Sequence, residues 1–179
     1  GSSALTNFVK HVNLNTTAVE SDLAAAFNST GPTTSVFSVG TSVSTNASGG
    51  TYIAYCFSSI KGYSKVGSYT GNNSVTDGTF VYTGFKPAFV MVKLIDSQTD
   101  NWIMQDNKIN SFNGASSQRL RPNSSGAEFT STNEIDFLSN GFKCRGDDGE
   151  FNGDGFSYIY MAFAESPFVT STEVPATAR

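Results

Sequence analysis

The sequence predicts an all-β domain, an antiparallel β-sandwich or jelly roll with one short helix near the N-terminus. Three observations point there. Short segments rich in Tyr, Phe, Val, Ile and Thr recur at spacings of about 8–15 residues, separated by clusters of Gly, Asn, Asp and Ser. Asn140-Gly141 stands between Asp136-Phe137-Leu138 and Phe142-Lys143-Cys144. Asn-Gly is the strongest two-residue hairpin signal, because both central positions of that turn favour φ > 0. Finally, 15 Phe, 7 Tyr and 1 Trp in 179 residues can furnish a core and are far too many for a disordered chain.

The helix comes first in the chain. Thr17-Ala18-Val19-Glu20 fits a capping box, in which the Thr hydroxyl and the Glu carboxylate each satisfy a free amide of the first turn. Val19, Leu23 and Phe27 follow at four-residue steps as a narrow apolar stripe. Asn28 and Gly31-Pro32 end it. A helix of about three turns is not stable alone, so it must pack on a sheet or on another chain. Strands are expected at 51–58, 78–83, 88–95, 102–105, 127–130, 134–139, 142–145 and 156–164. Asp77-Gly78 marks a further turn, and Pro87 suits the position ahead of a strand, where no amide is needed. The chain thus divides into an N-terminal segment, 1–35, whose helix is a candidate oligomerisation element, and a β-sandwich domain, 36–179.

One pattern occurs twice. Asn46, Gly49, Tyr52, Ile53 and Phe57 have the same spacing as Asn152, Gly155, Tyr158, Ile159 and Phe163. Two equivalent turn-plus-strand units predict paired central strands, each buried on both faces. Convergence of similar turns ahead of similar strands is the alternative.

The charge balance excludes some partners. Only 15% of residues are charged, and 11 Lys plus Arg against 15 Asp plus Glu leave a net charge of −4. Such a surface repels phosphate, so no nucleic-acid partner is expected. The longest apolar run, Ala88-Phe89-Val90-Met91-Val92, is far short of the roughly 20 residues of a membrane span, and no membrane insertion is expected. The N-terminus lacks the basic and apolar regions of a signal peptide. Cys56 and Cys144 have no zinc-type spacing and lie in strand-like apolar contexts, which reads as two buried free thiols.

The residues carry no catalytic signature, and no enzyme is expected. His11 is the sole histidine, and nothing marks a Ser or Cys as activated beside it. Carboxylates are the one catalytic resource: Glu128, Glu134, Asp136, Glu150 and Glu165 are candidates for the facing pair that a glycosidase needs. Asp147, Asp148, Glu150 and Asp154 crowd a Gly-rich loop whose composition suits calcium, although the spacing is not that of an EF-hand. Trp102 reads as core or as a sugar-stacking ring. Tyr63, Tyr69, Asn72 and Asn73 read as an adaptable recognition loop or as a polar loop with two aromatic anchors.

Several stretches taken together resemble a β-rich domain that recurs in virion tail and fibre-like proteins of tailed, often marine, bacteriophages. They include Thr51-Tyr52-Ile53-Ala54-Tyr55-Cys56-Phe57, Gly62-Tyr63-Ser64-Lys65-Val66-Gly67-Ser68-Tyr69, Phe80-Val81-Tyr82-Thr83-Gly84-Phe85-Lys86-Pro87, Asn101-Trp102 and Tyr158-Ile159-Tyr160-Met161-Ala162-Phe163. The resemblance runs over 36–168. It implies a virion module, assembled in the host cytoplasm, at the host-recognising end of a tail fibre or spike. The implied partner is a bacterial cell-surface glycan or receptor, and the implied assembly is a homotrimer. A structural or decorating module and a polysaccharide depolymerase are the alternatives.

Overall fold

The computed structural model describes residues 9–109, 113, 117–131 and 134–165. In chain order the elements begin with β1 (Lys10–His11), β2 (Ser21–Asp22), α1 (Ala24–Phe27) and α2 (Val43–Asn46). Next come β3 (Ser64–Thr70), β4 (Phe80–Tyr82), β5 (Pro87–Leu94) and β6 (Trp102–Asp106). β7 (Ser117–Arg119), β8 (Phe129–Ser131), β9 (Ile135–Leu138), β10 (Gly141–Cys144) and β11 (Ser157–Ala164) complete the described chain. A four-stranded sheet has the order β3-β11-β5-β6 and a three-stranded sheet the order β4-β10-β9, all neighbours antiparallel. β1-β2 and β7-β8 form small antiparallel pairs. The all-β, sandwich-like fold expected from the sequence is present.

The two larger sheets share one core. Val90, Val92 and Leu94 of β5 and Tyr158, Tyr160 and Ala162 of β11 meet Val81, Ile135, Phe137, Phe142 and Cys144. Along β11 these buried positions alternate with half-buried Ile159, Met161 and Phe163, as the period-two pleat requires. Burying each large side chain contributes about 1.5–3 kcal/mol.

The expected hairpin joins β9 to β10, but its register differs by one residue. Leu138 pairs with Gly141, so Ser139 and Asn140 form the loop, and neither has a positive φ. Gly141 is needed for another reason: a Cβ there would lie 2.1 Å from the Val81 carbonyl of β4.

Three expectations are corrected. The predicted helix shrinks to the single turn of α1, preceded by strand β2. Tertiary hydrogen bonds displace the capping box. The Glu20 N–H donates to Ile95 O (3.0 Å), and Thr17 O accepts from the Asp100 N–H (3.0 Å) and from Lys93 Nζ (3.1 Å). The helical stripe offered as an oligomerisation element is therefore absent. The second correction concerns residues 51–58, which form no strand, and every residue from 51 to 60 is exposed. Only the second copy of the repeated pattern became a strand, β11, whose neighbours are β3 and β5. The third concerns the thiols: both cysteines are free, but Cys144 is buried while Cys56 is exposed.

Candidate functional site

The antiparallel order brings the start of β3, the end of β11, the start of β5 and the end of β6 to one end of the larger sheet. Backbone bonds fix that end: the Ala164 N–H donates to Tyr63 O (2.8 Å), Glu165 to Lys86 O (3.1 Å) and Asn107 to Ala88 O (2.9 Å). Phe163 is the hub of an aromatic cluster, with ring centroids 5.9 Å from Phe57, 6.0 Å from Tyr63 and 6.2 Å from Phe89. Tyr63, in the turn ahead of β3, is 40% exposed, and Phe57 is exposed as well. Beside them Lys86 Nζ lies 2.8 Å from Glu165. The hydrogen bond from Lys86, assisted by Lys108 and Asn107, holds the Glu165 carboxyl below the usual range. Open rings next to an amine, a carboxylate and an amide can stack on an apolar face while hydrogen-bonding its polar rim.

The other residues singled out from the sequence are distributed elsewhere. The supposed loop from 62 to 73 is largely β3, which misled because its side chains alternate small and polar. Gly67 is small because a Cβ there would press on the Tyr160 ring at 3.0 Å. Seven residues of strand, at about 3.3 Å each, put Asn72 and Asn73 roughly 20 Å from Tyr63. Asn72 donates through Nδ2 to Asp77 O (2.8 Å) and accepts the Ser74 N–H (3.2 Å), so it shapes its own loop. Asn73 sits beside it at φ 53°. The Tyr69 ring stacks on Tyr158 with centroids 5.0 Å apart, and its hydroxyl donates to Phe151 O at 2.7 Å. Burial pushes the Tyr69 phenol well above its ordinary value, with Cys144 adding to the effect. Trp102 is 8% exposed, with Nε1 donating to Asn13 O at 2.9 Å. Its ring is not an open stacking surface.

The acidic loop converges on arginines. Arg119 is fully buried and reaches Glu134 (2.8 Å), Asp148 (2.7 Å) and Glu150 (2.8 Å). Burial alone would lower its pKa, but these carboxylates outweigh it and raise the value. Glu150 also takes Arg121 (2.8 Å) and Asn101 Nδ2 (2.7 Å). Both guanidinium carbons lie 4.6 Å from the Phe129 ring centroid, a cation–π arrangement. Asp147 and Asp154 are exposed. Asp148 and Glu150 are thus neutralised by guanidinium groups, and the four residues do not fit a calcium cage. Among the described residues no group of three or more His, Cys, Asp or Glu side chains is placed to hold a metal ion.

Of the carboxylates considered for paired catalysis, Glu134 and Glu150 are held by Arg119, Asp136 by Arg145 and Glu165 by Lys86, while Glu128 is exposed. His11 Nδ1 donates to Ser21 O at 3.1 Å. The arginine knot escaped sequence reading because its members are 15 and 29 residues apart. Its one local signal is the i, i+2 spacing of Arg119 and Arg121, which suits one face of an extended chain.

The matched family model is described as a domain of unknown function (DUF7483) and covers residues 2–167, spanning the N-terminal segment and the sandwich. No curated protein and no solved structure matches the chain.

Proposed function

The chain belongs to the DUF7483 family, and we propose that it is a host-surface recognition module of a phage tail fibre or spike. In this reading it binds bacterial surface carbohydrate at the Tyr63 end of the four-stranded sheet. The virion setting rests on the resemblance of residues 36–168 to phage fibre domains. The binding role rests on one observation, the exposed Tyr63 and Phe57 rings beside Lys86, Glu165 and Asn107. A sugar needs such a site, because its ring C–H groups are apolar and its hydroxyls ask for directed hydrogen bonds rather than charge.

The test is a bacterial glycan array probed with the whole chain, with calcium and with EDTA. Saturable binding to a small set of glycans, indifferent to EDTA, is expected. Tyr63→Ala should weaken it about tenfold or more, while Tyr82→Ala, an exposed tyrosine on β4, should not. A blank with folded protein, or binding that ignores both Tyr63→Ala and Phe57→Ala, overturns the site. A blank would favour a structural or decorating module, the reading that burial of Trp102 and of the Tyr69 ring supports. Release of new reducing ends from a bound polysaccharide would favour a depolymerase.

A further inference from the structure

From Leu23 to Ile60 the chain contains no Asp, Glu, Lys, Arg or His. This uncharged stretch is also where apolar side chains meet solvent. Of the sixteen large hydrophobic residues exposed among the described ones, nine fall between Val36 and Ile60. Ile53 is 79% exposed and Tyr55 80%. No backbone N–H or C=O of residues 51–57 is hydrogen-bonded within the described chain. An apolar, uncharged segment whose backbone is unpaired among the described residues marks an interface.

Both outer strands of the larger sheet already have partners along much of their edges among the described residues. On the outer side of β3, Ser64 already exchanges backbone bonds with Ile60, Ser59 Oγ accepts the Val66 N–H (3.1 Å), and Thr79 Oγ1 donates to Thr70 O (2.9 Å). On the outer side of β6, Met104 exchanges bonds with Leu120, and Asn123 Oδ1 accepts the Trp102 N–H (2.8 Å). Yet residues 51–57 repeat the residue pattern of β11, the strand that this fold pairs on both sides. The segment thus has the composition of a paired strand but no strand partner among the described residues.

Charge selects that partner. Covering an uncharged surface with a charged one strands ions away from water, so the matching surface must itself be uncharged. Among the described residues, the comparable surface is the same stretch on another molecule. We infer that residues 51–57 pair antiparallel with residues 51–57 of a second copy, with exposed Val36, Phe37 and Val39 extending the contact. An antiparallel pair of identical segments satisfies both backbones symmetrically and closes on itself.

The experiment is equilibrium sedimentation of the whole chain from about 1 to 200 µM. The average mass should rise from that of one chain toward two. Ile53→Asp and Tyr55→Asp, both at exposed positions, should each raise the dimer dissociation constant at least tenfold and leave the circular dichroism spectrum unchanged. A bis-maleimide should link wild-type dimers through Cys56 and should fail with Cys56→Ser. A single-chain mass throughout the range, or an oligomer indifferent to both Asp variants, overturns the inference. Phe57 belongs to both surfaces, so carbohydrate binding is read separately through Tyr63→Ala.

Discussion

Tyr158 of β11 is fully buried, stacked on Tyr69, and its hydroxyl donates to Gly149 O at 2.6 Å while accepting the Gly153 N–H at 2.8 Å. Tyr52 holds the matching place in the other copy of the pattern. It is 44% exposed, and its hydroxyl reaches only Val43 O (2.6 Å) and the Ala47 N–H (2.9 Å) of its own segment. The next residues diverge in the same way: Ile159 lies half-buried between β3 and β5, whereas Ile53 meets solvent. Similar residues at similar spacing therefore have opposite fates. Strand-forming composition is a capacity, and open edges on either side decide whether it is used. β11 has two such edges. Residues 51–57 have no strand partner among the described residues, and along the larger sheet Ile60, Ser59, Thr79, Leu120 and Asn123 already take much of the outer edges.

The comparison is broken most directly by paired truncation. Tyr158→Ala should cost about 3–5 kcal/mol in chemical denaturation, since it opens a cavity in the core and strands two backbone groups. Tyr52→Ala should cost well under about 1 kcal/mol, as exposed positions do. Equal costs would mean that the two copies are energetically equivalent after all. A second break uses the body's polar fastening. Arg119→Met removes the guanidinium that Glu134, Asp148 and Glu150 share in the buried knot and should cost about 3 kcal/mol. Within the uncharged stretch no substitution can remove an ion pair, because none exists there.

Seven strands were legible in the sequence: β4, β5, β6, β8, β9, β10 and β11 all fall within about two residues of their expected places, and most of them send apolar side chains into the core. β3 was not legible, because its inner face carries Lys65, Gly67 and Tyr69, a set that reads as loop until the Tyr160 ring is seen to fill the space above Gly67. The N-terminal helix failed for the opposite reason: a sound local capping signal lost to hydrogen bonds from the far end of β5 and from Asp100, which no local pattern encodes. Among the candidate site residues, Tyr63 alone lies at the exposed aromatic patch. Its companions Phe57, Phe163 and Glu165 come from segments that only the sheet order brings together.

The two cysteines offer the smallest and sharpest contrast, one in each region. Cys56, being exposed, should react with a thiol reagent in the folded protein, whereas buried Cys144 should wait for unfolding. Burial pushes the Cys144 thiol up from its ordinary value of 9.0 to about 12, against a small opposing effect from Tyr69. The folded value lies above the unfolded one, so the stability gained by keeping this thiol neutral is complete below pH 9. It drains away as the pH climbs toward 12, at up to about 1.4 kcal/mol per pH unit. Tyr69, also raised by burial, adds to the loss above pH 10. Stability measured by urea denaturation should therefore fall over this window in the wild type, and less steeply in Cys144→Ala. A Cys144→Ala curve as steep as the wild type would mean that burial of this thiol contributes nothing to the fall.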